Sequence, residues 1–365
     1  MAKSSPLAEL HRSNGAEFGE EDGWLLPRHF GDPLQEYQAV RSGVGLLDLC
    51  HRALLRFTGA DRVSFLHGMV SNDVKGLATG EGIYATFLDI KGKVLADARV
   101  FCASEILLVD LWEPLKEKIL AHLSRYLIAD DVEIADLTGQ YGILSLQGPK
   151  AGLFLDQFLS PGEIPLKELN HCTVSLGGAE VRLARCRRTG EEGFDLLVKT
   201  GELLPVIARL EERGGERGFS LRWIGTQAQE TLRVEAGIPR YGADIDEDNL
   251  LLEAGLDQAV SFQKGCYLGQ EVLERIRSRG HINKKLVGMV LEGKKVARRN
   301  DTIHAGEKEI GRVTSSIFSP ALRRPLALGY IHCDYIQPGT PVTIIHDGET
   351  TSAVVSALPF YGPSL

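Results

Sequence analysis

The stretch Glu230-Thr-Leu-Arg-Val-Glu-Ala-Gly-Ile-Pro-Arg-Tyr-Gly-Ala-Asp244 joins two kinds of text in this chain. On its upstream side Ile224, Ala228 and Leu232 recur at helical spacing, which predicts an amphipathic helix running to about Glu235. Gly237-Ile-Pro239 ends it, because a glycine and then a proline do not continue a helix. Downstream come the acidic Asp246-Glu-Asp-Asn249, the loop Lys264-Gly-Cys-Tyr-Leu-Gly-Gln-Glu271, and a basic run from Arg275 to Lys285. Beyond 285 the text changes. Leu286–Leu291, Glu309–Ser316, Ala327–Ile331, Pro341–Ile345 and Thr351–Ala357 are short Val/Ile/Thr-rich runs separated by Gly, Pro and Asp. Such runs predict a small antiparallel barrel or sandwich over residues 285–365.

Upstream, residues 1–30 are polar and without period, and are expected to be an N-terminal tail. Residues 31–284 then read as two α+β subdomains with a boundary near 140. The first has a helix stopped by Gly43, strands at Leu54–Phe57, Ile83–Leu88, Lys93–Phe101 and Ile106–Asp110, and a helix opened by Pro114. Asp61 is the expected N-cap of a helix over Arg62–Val70. The second unit repeats this order. Leu54-Leu-Arg-Phe-Thr-Gly59 leads to Phe65-Leu66, as Leu144-Ser-Leu-Gln-Gly148 leads to Phe154-Leu155. The expected fold class is therefore α+β, with two related subdomains followed by a small β-barrel.

A chain of 365 residues is longer than one hydrophobic core usually spans. Its 43% hydrophobic and 25% charged content is that of an ordinary soluble protein. A formal net charge of -8 argues against general attraction to nucleic acid or an anionic membrane, and the Arg275–Lys285 run reads as a solvated face. No apolar run reaches the length of a membrane span and the N-terminus lacks an apolar leader, so a cytoplasmic location is expected. The six cysteines show no C-x-x-C spacing, and no metal site is expected. Five of them lie in or beside strand-like text and read as core thiols.

Cys266 is the exception. Gly265 and Gly269 frame it, Lys264 precedes it, and Gln270–Arg277 reads as a short polar helix with Glu271 in its first turn. A cation and a helix N-terminus near a thiol favour thiolate, so Cys266 and Lys264 are candidate catalytic residues.

Four segments resemble one family. Thr189-Gly-Glu-Glu-Gly-Phe-Asp195 resembles the T-G-E-x-G-F-E stretch of the glycine-cleavage T-protein, and Glu230–Asp244 its D-S-L-R-x-E-A-G-x-x-x-Y-G-x-D. Gly311–Ser315, Ala327–Tyr330 and Pro359-Phe360 are similar to its C-terminal barrel. Lys264–Glu271 matches K-G-C-Y-x-G-Q-E, the signature of the YgfZ branch. The resemblance implies a three-domain cloverleaf around a channel that binds tetrahydrofolate. It implies cofactor-binding roles for Asp195, Glu191, Arg233, Gln229 and Tyr241. Gln229 replaces the family arginine that pairs with the glutamyl tail, for which Lys264, Arg275, Arg277 and Arg279 are possible substitutes.

The T-protein pattern G-G-x-x-D-D reads here as Gly92-Lys-Val-Leu-Ala-Asp97. Ungapped, this puts Ala96 in the catalytic slot and Asp97 in the second, facing away, because strand neighbours point to opposite sides. Asp97 remains the only carboxylate candidate there. The expected function is a folate-binding, YgfZ-like protein that supports assembly or repair of iron–sulfur enzymes, with a link to tRNA modification. Folate and iron–sulfur enzymes or their assembly proteins are the implied partners. An aminomethyltransferase and a non-catalytic folate scaffold are the alternatives.

Overall fold

Alternation along neighbouring strands sets the first layer. In the strand Val94–Ala103, Ala96, Ala98 and Val100 are fully buried, while Asp97 and Arg99 between them are only partly covered. The same parity places Ala85 and Phe87, Val109 and Leu111, and Ala53, Leu55 and Phe57 in the same apolar layer. One face of this sheet is thus core and the other carries charge. The strands lie in the order Gly82–Leu88, Val94–Ala103, Ile106–Trp112, Arg52–Thr58, Glu133–Asp136, all antiparallel. The computed structural model describes residues 2–216, 219–280 and 282–362, side chains excepted at 215, 216 and 279.

The second sheet repeats this plan. Its meander His171–Leu176, Ala179–Arg185, Gly193–Lys199 returns to pair with the unit's first strand, Tyr141–Gln147. Two further strands, Val44–Asp48 and Leu221–Trp223, extend the edge. Val44–Asp48 precedes the first unit in sequence, so the two subdomains are interleaved rather than consecutive. Their facing surfaces share one core of Leu54, Phe101 and Leu108 against Leu47, Ile143, Ala184 and Leu197. Each of the Leu, Ile and Phe side chains among them contributes about 1.5–3 kcal/mol when fully buried.

Two local expectations need correction. Residues 3–29 form no tail: a strand Lys3–Ser4, a helix Ala8–Ser13 and a hairpin of Glu17–Glu21 with Trp24–His29 pack onto the body. Leu7 is 1% exposed in the second core and buried His11 lies 2.8 Å from Asp48. The segment lacks period because its few apolar residues are placed by what they dock against. Asp61 stands at the head of the helix Arg62–Met69, but its carboxylate accepts from the Asp131 N–H at 2.9 Å instead of capping the helix.

The C-terminal region is a closed barrel of six strands, Lys284–Leu291, Arg324–His332, Lys308–Ser319, Thr302–Ala305, Pro341–His346 and Glu349–Ser356. Thr302–Ala305 escapes the sequence pattern because four residues carry too little alternation. The helix Thr226–Glu235 holds the barrel to the body. From it, Glu235 accepts from Tyr37 at 2.8 Å and from Ser319 of the barrel, and pairs with Arg41.

Candidate functional site

The charged face of the first sheet, the N-terminal hairpin, the helix Thr226–Glu235 and the loop after it enclose a cavity of about 870 Å³. Its floor is charged. Asp110, fully buried, is approached by three guanidinium groups: Arg52 on one oxygen, Arg188 at 2.8 Å and Arg99 at 3.8 Å on the other. Burial alone would raise the Asp110 carboxyl, but Arg52, Arg188 and Arg99 outweigh it and hold it down to about 2. The cross-strand register explains the arrangement, since Arg99 lies opposite both Tyr84 and Asp110. Tyr84 donates its hydroxyl to Asp97 at 2.9 Å, and Asp97 faces the cavity beside Arg99. His51 lines the wall, and burial pulls it down to about 4, so it is neutral at pH 7. Trp24, Trp112 and Tyr241 supply flat apolar surface, with Trp112 and Tyr241 at a centroid distance of 6.0 Å.

Four of the residues expected at the site line this cavity: Asp97, Gln229, Arg233 and Tyr241. Asp97 corrects the strand argument above. It is Ala96 that is lost in the apolar layer, and Asp97 that projects into the cavity, so the candidate carboxylate faces the cavity and not away from it. The side chain of Gln229 forms no hydrogen bond among the described residues. Tyr241 donates its hydroxyl to the Val94 carbonyl at 3.1 Å, leaving its ring as wall. Arg233 is a latch. Its donors go to Glu230, to the Ile238 carbonyl, to Asp244 at 2.7 Å and to Ser315 of the barrel at 2.7 Å.

The remaining expected residues lie elsewhere. Asp195 is 1% exposed and sits behind Arg188, which contacts its two oxygens at 2.6 to 3.1 Å, while Ser145 donates to it at 2.7 Å. Its carboxylate is therefore not offered to a ligand. Glu191 is buried against Arg41. Lys264 is buried, and its ammonium donates to the carbonyls of His67, Val70 and Asn72 around the end of the helix Arg62–Met69. Burial pulls Lys264 down to about 7, whereas the three acceptors favour the protonated form. All three donors being engaged, Lys264 does not serve the thiol. Cys266 is exposed. The loop's Tyr267 and the following helix's Leu273 pack in the layer that holds Ala96, so the first sheet stands between this loop and the cavity.

The glycine this loop requires is Gly269, at φ +85, where a Cβ would lie 2.6 Å from the Asp89 carbonyl oxygen. Gly265 has no atom within 4 Å of its Cβ position. Arg275 and Arg277 are carried by the helix Gln270–Arg279, and Arg277 covers the Phe262 ring at 4.5 Å rather than reaching the cavity. The Arg279 side chain and His281 lie outside the described residues. Of the expected core thiols, Cys50 and Cys186 are buried, while Cys102, Cys172 and Cys333 are partly exposed. Among the described residues, His332, Cys333 and Asp334 group ligand atoms within 4.8 Å of one another at one end of the barrel, a proximity that follows from their adjacency in sequence.

Sequence reading missed Arg52, Arg99, Arg188, Tyr84 and Asp110. The signal was present for Arg99, since Asp97-Ala-Arg99 alternates charge with alanine inside an otherwise apolar strand.

Two interleaved, mostly antiparallel sheets, a closed barrel and a charged cavity define the T-protein fold. The chain matches the family described as GCVT N-terminal domain over residues 7–264 and the glycine cleavage T-protein C-terminal barrel domain over residues 284–362. It belongs to that family. An aminomethyltransferase of Rubrobacter xylanophilus is 34% identical over 98% of this chain and 94% of its own length. One from Halothermothrix orenii is 32% identical over 98% and 99%. The crystal structure of the glycine cleavage system aminomethyltransferase T from Bartonella henselae superposes with a TM-score of 0.90 at 26% identity, covering 99% of this chain and 98% of that one. No helix among the described residues is long and apolar enough to cross a membrane.

Proposed function

We propose that this protein is a folate-dependent one-carbon transferase of the aminomethyltransferase type, acting at Asp97. The observation that carries this reading is the orientation of Asp97 into the cavity, oriented by the Tyr84 hydroxyl at 2.9 Å. A carboxylate held there stabilises positive charge developing on a substrate nitrogen, and in a site shielded from water such preorganised electrostatics is usually the largest catalytic contribution. The aminomethyltransferase relatives support the same reading.

Tetrahydrofolate fits the cavity in size and wall. Drug-sized ligands occupy pockets of roughly 300–1,000 Å³ with apolar walls and a few polar groups, and this one measures about 870 Å³. Trp24, Trp112 and Tyr241 would hold a flat ring, Gln229 offers a free amide, and Arg28 on the hairpin side suits a glutamyl carboxylate. Asp195 does not take part in this fit. When bound, tetrahydrofolate supplies the amine nitrogens that take up the one-carbon unit. The test follows methylene-tetrahydrofolate formed from an aminomethylated lipoyl carrier. Asp97→Asn should lower kcat by about 10²–10³-fold, the effect of removing one preorganised charge, with tetrahydrofolate affinity nearly unchanged. A variant with wild-type turnover overturns the assignment.

A second reading, support of iron–sulfur enzymes, is favoured by one observation. Cys266 is the exposed thiol among the six, on a surface loop rather than in the cavity. In this reading the loop meets a partner protein. Cys266→Ser should then fail to rescue a strain that lacks the endogenous protein, and full rescue discards it.

A further inference from the structure

The cavity floor carries two unmatched charges a short distance apart. Arg52, Arg99 and Arg188 bring three positive charges, against two negative charges from Asp110 and Asp195. One positive charge is left over. The geometry locates it at Arg99, whose nearest carboxylate oxygen, 3.8 Å away on Asp110, is already bonded by Arg188 at 2.8 Å. Arg99 forms no hydrogen bond among the described residues, lies with its guanidinium 5.6 Å from the Tyr84 ring, and lines the cavity. Arg52 gives Asp110 only its Nε, so its terminal nitrogens also have no hydrogen-bond acceptor among the described residues. Beside them Asp97 carries a negative charge that no cation among the described residues pairs, only the Tyr84 hydroxyl. His51, held neutral, does not change this balance. Glu168 lies within electrostatic reach of Arg99, but its carboxylate is taken up by Arg187, accepting from its N–H at 2.9 Å and lying 3.9 Å from its guanidinium.

Asp97 and Arg99 are two residues apart on one strand, so their side chains leave the same face with Cα atoms about 7 Å apart. That spacing accommodates an amine next to a carboxylate: the amine donates to Asp97 and the carboxylate accepts from the guanidinium fork of Arg99, with Arg52 alongside. We infer that the floor of the cavity is a binding subsite for a small zwitterion, an α-amino acid or its N-methyl derivative. A ligand of this class neutralises both unmatched charges at once, whereas a lone amine or a lone carboxylate leaves one uncovered. The inference rests on the one-carbon reading of the cavity only in taking the same Asp97 as the group that meets the amine.

The test is calorimetric titration of the full chain with glycine, N-methylglycine, methylamine and acetate, with tetrahydrofolate titrated separately. Glycine or N-methylglycine should bind about tenfold or more tightly than either single-charge fragment, the least expected of one charged hydrogen bond. Arg99→Gln should lose at least the same factor for the zwitterion while keeping tetrahydrofolate binding, and Arg99→Lys should recover part of it. Acetate binding as tightly as glycine, or Arg99→Gln leaving glycine affinity unchanged, overturns the inference. So does tetrahydrofolate binding with no zwitterion bound, which leaves the one-carbon reading standing. Zwitterion binding without tetrahydrofolate binding sinks that reading and supports this one. Should Arg99→Gln not fold, the fragment comparison on the unaltered protein decides alone.

Discussion

Replacing Arg188 by methionine isolates the ion-pair chain that ties the two sheets together. Arg188 bridges Asp195 on the second sheet to Asp110 on the first, both nearly inaccessible to solvent. The two carboxylates do not suffer equally. Asp110 keeps Arg52 and, more distantly, Arg99. Asp195 loses its guanidinium contacts at 2.6 to 3.1 Å and, among the described residues, retains only the Ser145 hydroxyl at 2.7 Å. Stripping one partner from a buried pair costs about 3–5 kcal/mol, because the other charge stays buried. Arg188→Met should therefore cost about 3–5 kcal/mol. Urea unfolding at pH 7 followed by circular dichroism measures it. The double variant Arg188→Met/Asp195→Leu should recover most of it, since neither charge then remains. A loss below about 1 kcal/mol, or a double variant no better than the single one, would refute the account of a buried pair whose cost lies in the orphaned charge.

Two further predictions concern acid and the cysteine loop. His51 and His171 are held down to about 4, chiefly by burial, so the unfolded chain binds more protons than the folded one below the ordinary histidine value of 6.5. Their contribution is complete above 6.5 and is lost as pH falls towards 4. Asp48 and Asp110, held at about 2 against an ordinary 3.8, add a second loss as pH falls from 3.8 to 2. Midpoints measured from pH 8 to 2 should therefore drop in two stages, and a single drop confined below pH 4 contradicts the burial of the histidines. Lys264→Met leaves the carbonyls of His67, Val70 and Asn72 without their donor, which should cost about 2–4 kcal/mol. Amide exchange should rise in the helix Arg62–Met69 and the residues after it. Unchanged protection there would mean that the loop is held by something else.

Patterns that repeat along the chain were legible without a structure. The Val/Ile/Thr-rich runs after 285 predict the barrel, and the matching Gly-then-Phe-Leu segments of the two units predict two sheets of one plan. Both follow from local period and turn chemistry, which a strand carries in its own residues. The cavity was not legible in this way. Asp97 depends on which face of its strand looks inward. The one-residue choice between Ala96 and Asp97 reverses that face, and motif alignment alone chose it wrongly. Asp195 and Lys264 have the residue types of a ligand site and of an activating base. Which acceptor or donor reaches them is decided by how the sheets and loops meet: Arg188, itself held by Asp110 of the other sheet, for Asp195, and the carbonyls at 67, 70 and 72 for Lys264. The stretch Glu230–Asp244 shows the division within fifteen residues. Its helix and its stop at Gly237 are local, set by apolar spacing and backbone freedom. That its Arg233 latches Asp244 to Ser315, instead of greeting a ligand, is decided only when the barrel closes against it.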